Sequence, residues 1–133
     1  MALSATIGLF SITATTVFAA DKEAVKPADT VEGIMKQIHE KHGELATVVK
    51  NKKLADVHHH AFAIRDLAKA LPAKVPADSK SKVESSVKNI SKLADDLDKS
   101  GDDGDQAKTE ANLKKLDGLL KVLAAQTGHE HKE

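Results

Sequence analysis

The fold is decided by residues 31–72, which read VEGIMKQIHEKHGELATVVKNKKLADVHHHAFAIRDLAKALP. Apolar residues in this stretch recur at steps of three and four, as on one face of an amphipathic helix. The first stripe, with His42 inside it, is Val31, Ile34, Met35, Ile38, Leu45, Val48 and Val49, and the second is Leu54, Val57, Ala61, Ile64, Ala68 and Leu71. Only the polar residues 51–53 separate the stripes, and Pro72 ends the second one. The stretch therefore predicts two antiparallel helices that lie side by side.

The second half of the chain repeats this pattern twice. The third stripe is Val83, Val87, Ile90, Leu93, Ala94 and Leu97, and the fourth, ending near Gly128, is Thr109, Leu113, Leu116, Leu119, Leu120 and Leu123. We predict an all-α protein, an antiparallel up-down-up-down four-helix bundle over residues 30–128, with helices of ~18–24 residues each. A pair of helical hairpins is the second choice of fold.

Capping residues predict where the helices begin and end. Asp29 followed by Glu32 resembles an N-cap acceptor with a glutamate that reaches back, so it predicts the start of the first helix. Gly101 is the candidate left-handed C-cap of the third helix. Asp103 or Asp105 is expected to cap the fourth helix.

The first residues have the character of an export signal. Residues 1–20 read MALSATIGLFSITATTVFAA, carry no charged side chain and precede the charged run DKEAVK. A short apolar run that ends in small residues is typical of a secretory signal peptide, so we predict a periplasmic or secreted protein that is not inserted in the membrane after cleavage. An uncleaved anchor is the alternative, although polar residues such as Ser11 and Thr13 make a poor spanning helix. Residues 21–29 are predicted to be a flexible lead-in and residues 129–133 a polar tail.

The composition limits the core and the partners. The chain has no Cys, Trp or Tyr, and Phe62 is the only aromatic residue after the leader, so the core must be Leu, Ile, Val and Ala. Without Cys there is no disulfide and no thiolate metal ligand. The 20 basic and 20 acidic side chains cancel, and no basic block stands out. Nucleic acid is therefore not an expected partner.

Histidines are the main chemical signal. Seven are present, the last two in the polar tail: His39, His42, His58, His59, His60, His129 and His131. At about 100° per residue, His42 falls near the middle of the first stripe and His39 lies at its edge. On the second helix, His60 lies on the flank of the apolar face, His58 at the other edge, and His59 points to water.

The short turn between the first two helices sets the heights of these side chains. His42 and His60 are predicted to differ in height by ~4.5 Å, close enough to bind one ion, whereas His39 and His58 differ by ~12 Å. The same register places Asn112 of the fourth helix near His60. A buried trio of His42, His60 and Asn112 would either satisfy itself through hydrogen bonds or hold an ion.

Neutral imidazoles suit the borderline divalent ions Cu(II), Zn(II), Ni(II) and Co(II). We predict a metal site with His42 and His60 as inner ligands, His58 and His59 as auxiliary ligands and His39 as a peripheral ligand. The residues leave one alternative open, which is a hydrogen-bonded core next to a solvated histidine run. A histidine-rich tract supports metal binding by composition only.

Two resemblances extend this interpretation. Residues 56–67 read DVHHHAFAIRDL, which looks like a segment of small exported helical proteins associated with heavy-metal resistance and efflux. That resemblance implies a metal-related periplasmic role. A leader followed by four amphipathic helices also resembles the soluble periplasmic b-type cytochromes, and the resemblance implies Met35 and His129 as the nearest matches to their haem ligands.

The sequence thus predicts a periplasmic binding protein for a divalent transition metal, with a role in buffering, sensing or resistance. The alternatives are a non-enzymatic structural or interaction bundle accessory to an envelope efflux complex, and a b-type cytochrome. The expected partners are the metal ion and an envelope efflux component. No enzyme is expected, because the chain has no G-x-S-x-G motif, no P-loop and no Cys nucleophile.

Overall fold

A computed structural model describes residues 24–129, and within that range the chain is helical and contains no strand. Four α-helices form a bundle: α1 Val31–Lys50, α2 Val57–Lys69, α3 Ala77–Asp102 and α4 Gln106–Gln126. Two 3₁₀ turns, Leu54–Asp56 and Leu71–Ala73, flank α2. The all-α prediction is confirmed. The predicted signal peptide, the start of the lead-in and the end of the tail lie outside the described residues.

The helices differ in length more than the periodicity predicts. They contain 20, 13, 26 and 21 residues in chain order. The short α2 lies between Lys52, whose backbone turns left-handed with φ of 57°, and Pro72, which stands in the second 3₁₀ turn. The long α3 meets no such break between Pro76 and Gly104. The prediction of four helices of similar length was wrong, because the turn residues are unevenly spaced along the chain.

The predicted apolar stripes form one aliphatic core. Its largest fully buried side chains are Ile34, Met35, Ile38, Leu45, Val49, Ile64, Leu67, Leu71, Ile90, Leu97, Leu116 and Leu123. Each large aliphatic side chain removed from water contributes about 1.5–3 kcal/mol. The core therefore draws on all four helices.

Packing between the helices sets which faces meet. Each helix packs against the next one in the chain, and α1 also contacts α4. Ser86 of α3 donates a hydrogen bond of 2.7 Å to Gln126 of α4, and Gln106 of α4 donates one of 2.8 Å to the backbone oxygen of Val49. Helix α1 thus has α2 along one flank and α4 along the other, and this arrangement positions the histidines.

Hydrogen bonds and backbone angles correct two of the predicted helix ends. The N-cap of α1 is Thr30, not Asp29: the backbone stays extended through Thr30, and its hydroxyl accepts from the Gly33 amide at 3.0 Å. At the other end of the bundle, Asp105 caps α4 by accepting from the Lys108 amide at 3.0 Å, as one of the two predicted candidates. The left-handed residue after α3 is Gly104, with φ of 68°, so the prediction of Gly101 for that role was wrong.

Gly101 is required for a different reason. It lies inside α3, at the point where α3 passes close to Leu54 in the 3₁₀ turn and to Val57 at the start of α2. A Cβ atom at Gly101 would lie 2.9 Å from the backbone oxygen of Leu54 and 3.1 Å from Cβ of Val57. Both are closer than ordinary van der Waals contact, and one is backbone. The absence of a side chain therefore lets α3 touch the turn before α2.

We expect Gly101→Ala to destabilise the protein by about 1–3 kcal/mol, because the added methyl overpacks this contact. The matched control is Gly43→Ala in α1, where nothing lies within 4 Å of the new Cβ. Since alanine is the better helix former, the control should stabilise by up to about 1 kcal/mol. Urea denaturation measures both changes. Equal effects of the two substitutions would contradict the close approach at Gly101.

Candidate functional site

The structure divides the predicted ligands between the two flanks of α1. Nδ1 of His60 lies 3.0 Å from Oε2 of Glu44, so these residues meet where α1 packs on α2. Positions 42 and 44 are about 200° apart around a helix, so His42 points to the opposite flank. There the charges of Asp117 and Lys121 on α4 act on it. His42 therefore faces α4 while His60 faces Glu44.

Three histidines line one cleft, which we call the histidine cleft. His58, His59 and His60 form part of the wall of a space of about 530 Å³, and Ala24 and Val25 of the lead-in lie on the same wall. The rings of His58 and His59 are 3.6 Å apart between centroids and tilted by 44°. Three consecutive histidines of α2 therefore border the same space.

The lead-in is fastened beside this cleft by one side chain. Gln37 of α1 accepts a hydrogen bond from the Ala28 amide at 2.9 Å and donates one to the backbone oxygen of Lys26 at 3.0 Å. Val25 and Ala28 also pack against the core. The amide of Gln37 therefore holds residues 26–28 along α1, next to the cleft wall.

Hydrogen bonds fix the tautomer of three histidines. Nδ1 of His39 lies 2.7 Å from the backbone oxygen of Met35, and Nδ1 of His58 lies 3.1 Å from that of Ala55. Nδ1 of His60 meets the Glu44 carboxylate. A carbonyl or ionised carboxylate oxygen only accepts, so Nδ1 carries the hydrogen in each case. The lone pair of each neutral ring is then on Nε2, the arrangement that metal-binding histidines use.

Among the described residues that line the cleft, Lys41 and Arg65 are each paired with a carboxylate. Lys41 lies 2.7 Å from Glu44, and this hydrogen bond, with the charges of Lys41 and His60, holds the pKa of Glu44 below its usual value. Arg65 donates to Asp66 at 2.9 Å, and its guanidinium carbon lies 4.2 Å above the centre of the Phe62 ring. The pairing reduces the repulsion that a bound cation would meet in the cleft.

His42 is partly buried, and its Nε2 is a buried atom without a hydrogen-bond partner. Burial lowers the pKa of His42 below its usual value, and the Asp117 carboxylate opposes this while His39 and Lys121 add to it. The neutral ring is therefore the stable form of His42 at neutral pH.

Asn112 is buried, as predicted, but its partners lie on α3. Its amide donates to the backbone oxygen of Asp96 at 3.2 Å and lies 3.4 Å from the Ser100 hydroxyl. Thr109 donates to the same hydroxyl at 3.0 Å. The flank of α4 that carries Asn112 faces α3, so the predicted trio with His42 and His60 is not formed by these hydrogen bonds. The sequence placed Thr109 in the fourth stripe but missed Ser100, because a small hydroxyl residue looks alike on inner and outer faces.

The remaining predicted residues are placed as follows. Met35 is fully buried in the core. The backbone amide of His129 donates to the Ala124 oxygen at 2.8 Å, just after α4, and His131 lies outside the described residues. Over residues 24–129, no three His, Asp or Glu side chains are arranged to hold a metal ion. Any metal site in this part of the chain would need its side chains to reorient.

None of the helices within residues 24–129 combines the length and apolar character needed to cross a membrane. Comparison of the chain with family models, curated proteins and solved structures found no match. The two resemblances drawn from the sequence therefore stay predictions.

The burial of His42 predicts a pH effect on stability. Its pKa is lower in the folded protein than the usual 6.5, so the unfolded chain binds the proton more readily. The neutral ring's contribution is present above pH 6.5 and is lost as the pH falls toward the folded pKa. Glu44 adds a similar loss in more acidic solution, because its folded pKa is also lowered.

We expect His42→Leu to lose less thermal stability than the parent protein between about pH 7.5 and about pH 5.5, because leucine cannot take up the proton. The melting temperature, followed by circular dichroism with a chelator present, measures the difference. Parallel losses in both proteins would show that His42 is not the group that titrates.

Proposed function

We propose that the chain is a non-enzymatic, exported protein that binds a divalent transition metal, Cu(II), Zn(II), Ni(II) or Co(II), in the histidine cleft. One observation carries this proposal: His58 and His60 both hold Nδ1 against an oxygen acceptor, which leaves the lone pair of the neutral ring on Nε2. Both side chains border the same cleft as His59. A hydrogen bond from Nδ1 to an oxygen acceptor orients an imidazole ligand toward a metal.

The ion would bind by rearrangement of side chains at the cleft wall. The rings of His58 and His59 are already 3.6 Å apart, so a rotation of either ring brings two nitrogens toward one ion. Carboxylates border the same region at Glu44 and Asp66, and water would complete the coordination. Because ordering these groups costs conformational entropy, we expect a site of moderate affinity, which suits buffering or sensing.

The proposal includes a topology and a compartment. It takes the helices in an up-down-up-down order, which the short connections between consecutive helices favour. The charge-free leader, residues 1–20, supports export to the periplasm or beyond it. The segment at residues 56–67, which looks like part of small exported proteins tied to metal resistance and efflux, supports the same role.

A separate surface favours a second candidate function, the interaction bundle accessory to an envelope efflux complex. Leu93 of α3 and Leu119 and Val122 of α4 line an open groove of about 490 Å³. Val122 is 48% exposed, which is unusual among the large apolar side chains of residues 24–129. Such a groove fits apolar side chains of a protein partner. In this alternative the histidines are solvated and bind no ion.

Calorimetric titration of the chain with Cu(II), Zn(II), Ni(II) and Co(II) at about pH 7.5 tests the metal proposal, because histidine ligands must be neutral. We expect saturable binding tighter than about micromolar. His58→Ala/His59→Ala/His60→Ala should remove the binding that belongs to the cleft. The matched control, His129→Ala, replaces a histidine at the end of α4 and should leave the isotherm unchanged.

Circular dichroism of the triple variant should show the parent's helicity, since alanine favours the helix. Identical isotherms for the triple variant and the parent would overturn the cleft as a metal site. If the parent chain itself bound none of the four ions, the interaction bundle would be favoured. The interaction bundle predicts a protein partner that can be cross-linked to the chain in an envelope extract containing a chelator. Cross-linking should be lost with Val122→Lys and kept with the triple histidine variant.

A further inference from the structure

The contact between α1 and α4 carries chemistry that the histidine cleft does not use. We call it the α1–α4 seam, defined by His39 and His42 on α1 and by Gln106, Asp117 and Lys121 on α4. Helix α1 packs on α4 much more sparsely than consecutive helices pack on each other. In the described part of the chain, the buried side-chain atoms that lack a hydrogen bond are His42 Nε2 and Gln106 Oε1. Both belong to this seam.

A hydrogen bond fixes the register of the seam. Gln106 donates to the backbone oxygen of Val49 at 2.8 Å. In the up-down-up-down order α1 and α4 are antiparallel, so the start of α1 lies beside the end of α4. His42 is then ~10 Å and His39 ~15 Å from this bond along the axis, and Asp117 is ~16 Å from it. Asp117 also shares the face of α4 that carries Gln106, since eleven residues complete about three turns. It therefore lies level with His39 and about one helical turn from His42 along the axis.

The geometry of the two imidazoles suits them to bind an ion through Nε2. His39 and His42 are three residues apart and so lie on the same side of α1. The hydrogen bond of 2.7 Å from His39 Nδ1 to the Met35 oxygen leaves the lone pair of the neutral ring on Nε2. Nε2 of His42 is buried and has no partner, and burial favours the neutral ring there. An ion would supply the interaction that this buried nitrogen lacks.

The carboxylate is available at small cost. Asp117 pairs with Lys121 at 3.0 Å, but the two side chains are 46% and 75% exposed. An exposed pair one helical turn apart contributes little to stability. Asp117 can therefore exchange Lys121 for a cation, and the long lysine side chain can swing into water. The exchange is needed because the seam, as it stands, does not hold three ligands in metal-binding geometry.

We propose that the α1–α4 seam is a second site for a divalent transition metal, separate from the histidine cleft, with His39, His42 and Asp117 as its ligands. Two imidazoles, one carboxylate and water form a donor set that suits Zn(II) and Co(II). The ion would replace Lys121 as the partner of Asp117 and would join the first helix of the bundle to the last. The cleft ion, by contrast, would be held mainly by α2.

The test uses the chain in which the cleft is removed, His58→Ala/His59→Ala/His60→Ala. Titrated with Zn(II) and with Co(II), this variant should keep one saturable site, and bound Co(II) should show the visible absorption of a site with nitrogen and oxygen ligands. Asp117→Asn in this background should weaken binding by at least about tenfold, because a charged ligand becomes a neutral one. Asp117 is half-exposed, so this change leaves the packing intact.

Two controls make the result specific to the seam. Lys121→Ala should tighten binding, since it removes the competitor for Asp117. Asp103→Asn, an exposed carboxylate at the turn after α3, should leave binding unchanged. No binding by the cleft-free variant, or equal binding by the Asp117→Asn and Asp103→Asn forms, would overturn the seam site. A cleft-free variant that binds like the parent would overturn the cleft instead and leave the seam standing.

Discussion

The burial of the α1 stripe is the constraint on which the rest of the structure depends. Ile34, Ile38 and Leu45 are fully buried, and each contributes about 1.5–3 kcal/mol when it leaves water. The chain has no disulfide and almost no aromatic side chain to add to this core. Helix α1 must therefore be covered on both sides, by α2 along one flank and α4 along the other. Because of this packing, each α1 side chain beside the stripe faces either α2 or α4.

The assignment gives the two flanks different chemistry. Glu44 and Lys41 meet α2 and neutralise each other beside His60. His42 meets α4, where burial keeps it uncharged although Asp117 favours the charged form. A residue's position around α1 therefore decides whether it belongs to a polar, ion-paired surface or to a sparsely packed seam with an unpaired buried nitrogen. Two histidines predicted to share one ion are separated by this geometry.

The sequence predicts the helices well and their ends less well, and the residues show why. Periodicity depends on many side chains at once, so the four stripes survive errors at single positions. A cap depends on one hydrogen bond, and Thr30 takes it because the chain stays extended one residue longer than expected. The role of Gly101 depends on the Leu54 oxygen, which is distant in sequence. The prediction of the site had the same limit, because it depends on contacts between residues that are distant in sequence. The hairpin register rests on the turn between α1 and α2, and its extension to α4 placed Asn112 near His60. Asn112 instead bonds to α3, and the charge of Asp117 on α4 acts on His42.

The separation also determines how metal binding would act on the fold. A ligand stabilises a protein only to the extent that it prefers the folded chain to the unfolded one. His58, His59 and His60 are consecutive, so an unfolded chain retains much of their ability to bind an ion, and an ion in the cleft would add little stability. His42 and Asp117 come together only when the last helix packs on the first. An ion in the seam would therefore be lost on unfolding and would strengthen the contact where the bundle packs least closely. The same metal would thus act as an exchangeable ligand at one flank of α1 and as a structural link at the other.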